Sequence, residues 1–279
     1  MIQLNSYEQF REEYDTARKR IGKLVSNCVF AKKIIEDHLI VGRAYIESQD
    51  CGIIVLLEDE VPGFYTLIYY LDSLESLTVP DFDRPVLIDL VGRDGDSKAD
   101  ETGHILLDKG FVKIAKNYQI QCPVKSCEDD LSELIDELAA KGYRMETSFS
   151  EKQREEIAGL WKRWLKPTDV PKSHYIDLEN NTGKIVCAIN DEGDVCGVIW
   201  WSVSGKTCEI RHAVTREQDR KHGIALLLEK YTVLLASQAG CSSVFSFIDV
   251  NNAPSFRVCY RAGFVRTDRY TEQYCKTAD

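Results

Sequence analysis

Apolar positions along this chain recur in two rhythms, one helical and one alternating, and together they predict a mixed set of helices and strands. Over Tyr7–Val25, the residues Phe10, Tyr14, Ala17, Ile21 and Leu24 stand at helical spacing among charged neighbours, which predicts an amphipathic helix. Strand-like runs follow at His38–Ile46, Gly52–Leu57 and Phe64–Leu71, separated by turn-rich pieces at Ser48–Asp50 and Val61–Gly63. A further run, Arg84–Val91, ends in the turn cluster Gly92–Asp96. Ala99–Lys109 then reads as a helix closing on Gly110-Phe111, and Val112–Ile120 as a strand.

The stretch Cys122–Cys127, carrying Pro123 and Ser126, reads as a join. After it, Asp129–Lys141 is a predicted helix, started by Ser126 or a neighbour and ended by Gly142. A second helix, Ser150–Leu165, sets Ile157, Leu160, Trp161, Trp164 and Leu165 on one side. Lys166–Pro171, with His174 and Tyr175 just beyond, is expected to be a mobile loop. Lys184–Ile189 and Val195–Val203 flank a turn at Asp191–Gly193 and form a predicted hairpin. Its second strand is apolar on both faces, as in a strand covered by helices on both sides, and this predicts a layered α/β sheet. Trp200 and Trp201 must then point to opposite faces.

The chemistry-bearing pattern comes next. Thr207–Thr215 is strand-like, Arg220–Ala225 is a short basic loop containing Gly223, and Gly223–Ala236 repeats Ile224, Leu227, Leu228, Tyr231 and Leu235 at helical spacing. Strand, glycine loop and helix in that order present several backbone N–H groups, and the positive end of a helix dipole, to one anion. A matching piece lies downstream: strand Ser243–Val250, then Asn252–Ser255, a short helix, Gly263-Phe264 and strand Val265–Tyr274.

Arg-x-x-Gly-x-Ala between strand and helix, followed by Asn-x-x-Ser and Gly-Phe, resembles the GNAT superfamily of acyl-CoA-dependent N-acyltransferases over Gly183–Cys275. The resemblance implies an α/β fold with a mixed sheet and acetyl-CoA as co-substrate, with no metal. It places the cofactor's pyrophosphate on Arg220, Lys221, His222, Gly223, Ile224 and Ala225, and the pantetheine arm along the backbone of Ala213, Val214 and Thr215. Asn252 and Ser255 open the helix beside that arm. An N–H at Ala213 would face the thioester carbonyl as oxyanion donor. Glu209, eleven positions before Arg220, resembles the glutamate that takes the amine's proton, and a strand glutamate paired with Arg211 is the competing reading. His212 is the substitute base, on the opposite face from Glu209 unless a bulge intervenes. The usual thiolate-protonating tyrosine falls on Cys259. Tyr260 follows one residue later, about 100° round the helix, and Cys259 as a small filler is the other alternative. Trp161 and Trp164 are either walls of the acceptor pocket or core.

Helix, Gly-Phe and strand also close the first half, at Gly110-Phe111, so the chain reads as two tandem GNAT-like domains. Residues 1–122 form a degenerate copy, because no anion loop follows Leu71, and residues 123–279 form the complete one. A chain of 279 residues accommodates two domains. Its formal charge of −10 argues against nucleic acid and against an anionic membrane surface. The absence of a signal-like start, and ten cysteines several of which (Cys187, Cys196, Cys208) sit in apolar strand patterns, predict a cytoplasmic protein with reduced thiols. The expected acceptor is an amine-bearing small molecule or a protein amine, and a homodimer is left open. A non-catalytic acyl-CoA-binding module and an aminoacyl-tRNA-dependent transferase remain the alternatives to acyl transfer.

Overall fold

The structure is a computed structural model that describes residues 1–28, 31–41, 43–59, 63–80, 82–124, 131–166, 169–170 and 172–278. Two compact units are present. Unit 1 is built mainly from Met1–Lys116 and the C-terminal Arg269–Asp279, and unit 2 from Asn117–Val170 and His174–Asp268. The boundary expected at residues 122–123 and the break after Lys116 both fall within the strand Val112–Pro123.

Unit 1 begins with β1 (Ile2–Leu4), α1 (Tyr7–Ile21), β2 (Val25–Ser26), α2 (Ala31–Val41), β3 (Arg43–Gln49), β4 (Gly52–Asp59), β5 (Phe64–Leu71), β6 (Val86–Arg93) and α3 (Ser97–Asp108). α1 starts where Ser6 accepts a hydrogen bond from the Gln9 N–H, and it buries Phe10 and Ala17. The sheet runs β1-β3-β4-β5-β6, with β5 and β6 parallel. Its last strand is Arg269–Lys276, antiparallel to β6.

The expected strand His38–Ile46 is corrected. α2 continues to Val41, and β3 starts only at Arg43. Ile35 and Leu39, four residues apart, turn one helical face onto the core, a spacing that a short apolar run cannot distinguish from a strand.

The chain continues with β7 (Val112–Pro123), α4 (Leu131–Ala139), β8 (Tyr143–Glu146), α5 (Glu151–Trp164), α6 (Lys172–Glu179), β9 (Ile185–Asn190), β10 (Val195–Ser204), β11 (Thr207–Thr215), α7 (Ile224–Gln238), β12 (Ser243–Asp249), α8 (Ala253–Arg261) and β13 (Val265–Lys276). In unit 2 the sheet order is β7-β12-β11-β10-β9-β8, and only β11 and β12 are parallel. One face carries α7 with Leu227, Leu228 and Val233 over Cys208, Ile210 and Val244. The other carries α5 with Ile157 and Trp161 over Val198, Trp200 and Val214. Trp200 and Trp201 do lie on opposite faces, Trp201 packing on the α7 side.

Two expected loops need correction. The join read at Cys122–Cys127 begins inside β7, whose Asn117–Pro123 pairs residue by residue with Asp249–Ser243; residues 125–130, Ser126 among them, lie outside the described residues. Beyond the expected loop Lys166–Pro171, where Pro167, Thr168 and Pro171 are outside the described residues, His174 and Tyr175 belong to α6. His174, Asp177 and Leu178 are buried at helical spacing there, and two of the three are polar, which hid the period.

Candidate functional site

The parallel pairing of β11 with β12 covers only Thr207–Ile210 against Ser243–Ser246. Both strands continue, β11 to Thr215 and β12 to Asp249, without further pairing to each other. Ser246 Oγ closes the ladder by donating to the Ile210 carbonyl at 2.9 Å. Beyond that point the backbone of Arg211–Thr215 offers donors and acceptors on its β12 side, as an unpaired strand edge does.

The same backbone leads into the loop Arg220–Ala225. Arg220 is extended, Lys221 has φ +68, and Gly223 has φ +94 and caps α7 without any side-chain hydrogen bond. The N–H groups of the first helical turn are thus left unpaired by the helix itself. A Cβ added at Gly223 would meet only Leu138 Cδ2 at 3.9 Å, so the space at the helix start is open. Arg216 anchors the loop's base by pairing with Asp219, and it also approaches Asp194 at 3.5 Å. Asp219 accepts from Tyr143 Oη at 3.2 Å, and Tyr143 Oη also meets His222 Nδ1 at 3.1 Å. The Arg220 guanidinium lies 4.2 Å above the Trp164 ring, and its Nε donates to the Thr215 carbonyl at 3.4 Å. Trp164 is exposed at the end of α5, while Trp161 is fully buried, so the two tryptophans divide between surface and core.

Along β11, Val198 pairs with Val214 but Trp200 with Arg211, so Ile199 stands opposite two residues, His212 and Ala213. His212 sits in this bulge with φ +56. The extra residue places Arg211 and His212 on one face, together with Glu209, Trp200 and Val214. Ala213, at the opening of the gap, is exposed. Glu209 is held by Arg211, whose Nε donates to Oε1 at 2.7 Å, so the strand ion pair is formed.

Unit 1 has the corresponding gap, and its own chain fills it. β5 and β6 pair only at Tyr65↔Val86 and Thr66↔Leu87. Beyond this, the Asn27 amide reaches across: Nδ2 donates to the Leu67 carbonyl at 2.9 Å and the Asp89 carbonyl at 3.4 Å, and Oδ1 accepts from the Tyr69 N–H at 3.0 Å. β2 pairs alongside with Tyr70 and Leu71. Among the described residues, no glycine-led helix lies between β5 and β6.

No family model matches the chain, and no curated sequence is similar to it. Solved structures are. A tandem GNAT protein from the clavulanic acid biosynthesis pathway superposes with a TM-score of 0.61 over 100% of this chain and 98% of its own, at 14% identity. The fold is the GNAT fold, in tandem. A GCN5-related N-acetyltransferase from Kribbella flavida gives 0.55 over 87% and 92% at 13% identity, and one from Sphaerobacter thermophilus 0.52 over 85% and 77% at 13%.

Within this GNAT fold, the second sequence motif acts first as a helix start. Asn252 caps α8 by accepting from the Ser255 N–H at 3.2 Å. Cys259, read as either a proton donor or a small filler, lies in the core. The residue is buried between α7 and α8 with its thiol directed at Glu229 Oε1, 3.6 Å away, and burial pushes the thiol far above its ordinary value. Tyr260 is half-exposed on the neighbouring face of the helix, against Phe256. The sequence reading missed Arg216 as the loop's anchor, Tyr143 beneath it and Asn27 across the first gap. Only the basic character of Arg216 beside Asp219 was available as a signal.

Proposed function

We propose that the protein is an acyl-CoA-dependent N-acyltransferase that works from unit 2 alone, transferring acetyl from acetyl-CoA to a primary amine. The observation that carries the reading is the continuous path in unit 2 from the unpaired β11 edge, through the Arg220–Ala225 loop, to an uncapped helix start. An arm bearing amides suits the first part and a pyrophosphate the last. Arg220, Lys221 and the N–H groups of Ile224 and Ala225 hold the phosphates, and the backbone of Ala213–Thr215 pairs with the pantetheine as a strand would.

The amine nitrogen attacks the thioester carbon. The carbonyl oxygen takes the charge, which the Ala213 N–H stabilises, and Glu209 accepts the amine's proton through water. The tetrahedral centre collapses with loss of the C–S bond, and solvent protonates the thiolate, because Cys259 is buried with its thiol directed at Glu229. The Glu209–Arg211 ion pair favours a second reading, a binding module without turnover.

Calorimetric titration with acetyl-CoA tests the assignment to unit 2, and thiol release across a panel of amines separates enzyme from module. One site per chain is expected, since Asn27 and β2 fill the gap in unit 1. Two equivalent sites, or none, would overturn the reading.

A further inference from the structure

Two buried histidines lie side by side in unit 2, on the face of the sheet that carries Glu209. His174 Nδ1 and His212 Nε2 are 2.6 Å apart, a distance that places one proton between them, with one ring donating and the other accepting. The His174 ring stacks on Trp200 at 3.8 Å between centroids, and Trp161 meets His212 edge-on at 5.7 Å. Trp200 is fixed in turn, its Nε1 donating to Asp177 Oδ2 at 3.1 Å, and Lys184 Nζ holds Asp177 at 2.9 Å. Asp177 and His174 both come from α6, so one helix grips the sheet twice.

What this grip holds is an unfavourable backbone. A β-carbon at φ +56 crowds the following carbonyl, and residues other than glycine adopt that region uncommonly, although histidine does so more often than most. Such a conformation persists only where its surroundings determine it. Among the described residues, the one side-chain hydrogen bond of His212 is the one to His174. The pair is also poorly suited to take a proton. Desolvation pushes His212 down to about 3, with Arg211 adding to the shift, and pushes His174 lower still, with His212, Arg211 and Lys184 adding to it.

We propose that the His174–His212 hydrogen bond is a positioning clamp that holds β11 in its left-handed bulge and so aims the Ala213 N–H into the gap beside β12. That the N–H then meets a thioester carbonyl rests on the acyl-transfer reading, whereas the clamp itself does not.

Four full-length variants separate the roles. His174→Phe keeps a ring on Trp200 but removes the partner nitrogen, and His174→Asn restores a polar group where Nδ1 stood. His212→Val resists a positive φ, whereas His212→Asn tolerates it. Two readouts apply: the Ala213 amide resonance in the unliganded chain, and the carbonyl stretch of bound [1-¹³C]acetyl-CoA. The Phe and Val variants should displace the Ala213 resonance and return the stretch toward that of free acetyl-CoA. Both Asn variants should stay near wild type, and acetyl-CoA affinity should hold within about threefold throughout. With an acceptor amine that turns over, kcat should fall roughly 10²-fold in His174→Phe and recover in His174→Asn, with KM for acetyl-CoA little changed.

An unmoved Ala213 resonance in His174→Phe would overturn the clamp, and this variant decides even if His212→Val fails to fold. Equal loss of kcat in both His212 variants, with loss of the acid limb of the pH profile, would overturn it in favour of a base. A wild-type chain that binds no acetyl-CoA would remove the acyl-transfer reading and leave the clamp to be judged on the amide resonance.

Discussion

Glu229 is the residue whose replacement should be most visible in stability. It stands on the buried face of α7 between Leu228 and Thr232, with Oε1 facing the Cys259 thiol and Oε2 without a hydrogen-bond partner among the described residues. Desolvation pushes its carboxyl from the ordinary 4.5 up to about 7, against a smaller opposing effect of the Cys259 hydrogen bond. Between those two values the native chain keeps a proton that the unfolded chain has released. Stability is therefore fully present below about pH 4.5, falls across the interval, and levels off above pH 7. An interval of about 2.5 pH units, at roughly 1.4 kcal/mol per unit, amounts to about 3 kcal/mol. Glu229→Gln keeps the shape and cannot ionise. Urea unfolding followed by tryptophan fluorescence reads unit 2 alone, because Trp161, Trp164, Trp200 and Trp201 all lie in it. The variant should match wild type within about 1 kcal/mol at pH 5 and exceed it at pH 8, the gap widening by about 3 kcal/mol. Parallel stability profiles from pH 5 to pH 8 would show that Glu229 is not ionising inside the core, and the reasoning would fail.

Gly223→Val should destabilise unit 2 by about 1–2 kcal/mol, since φ +94 is strained for a β-branched residue although space is open. It should also weaken acetyl-CoA binding more than roughly tenfold by calorimetry; unchanged affinity in a folded variant would remove the phosphate-loop assignment. Glu209→Gln should lower kcat roughly 10²–10⁴-fold, with acetyl-CoA affinity near wild type and the acid limb of the pH–rate profile lost. Near-normal kcat at every pH would exclude the general base and leave the Glu209–Arg211 pair as a strand ion pair.

Most of unit 2's framework was legible in the chain itself. β11 spans Thr207–Thr215 as expected, and α7 begins one residue after Gly223, because strand alternation, a glycine able to take positive φ and a helical apolar period are all local properties. The hairpin around Asp191–Gly193 and the opposed Trp200 and Trp201 follow in the same way. α2 and α6 were not legible, since short apolar runs and buried polar residues carry no distinguishing period over so few positions.

The sequence by itself determined which segments are strand, loop and helix around Arg220–Ala225, and that no matching basic glycine loop follows Leu71 in the first half. Only the tertiary structure decided which neighbours those segments meet. It opened β11 from β12 beyond Ile210, closed the matching gap in unit 1 with Asn27, turned Cys259 into the core beside Glu229, and brought His174 to His212 from thirty-eight residues away. Each of these depends on backbone and side-chain partners remote in the chain. The free energy of such a contact is a property of two segments at once, and no window along one of them contains it.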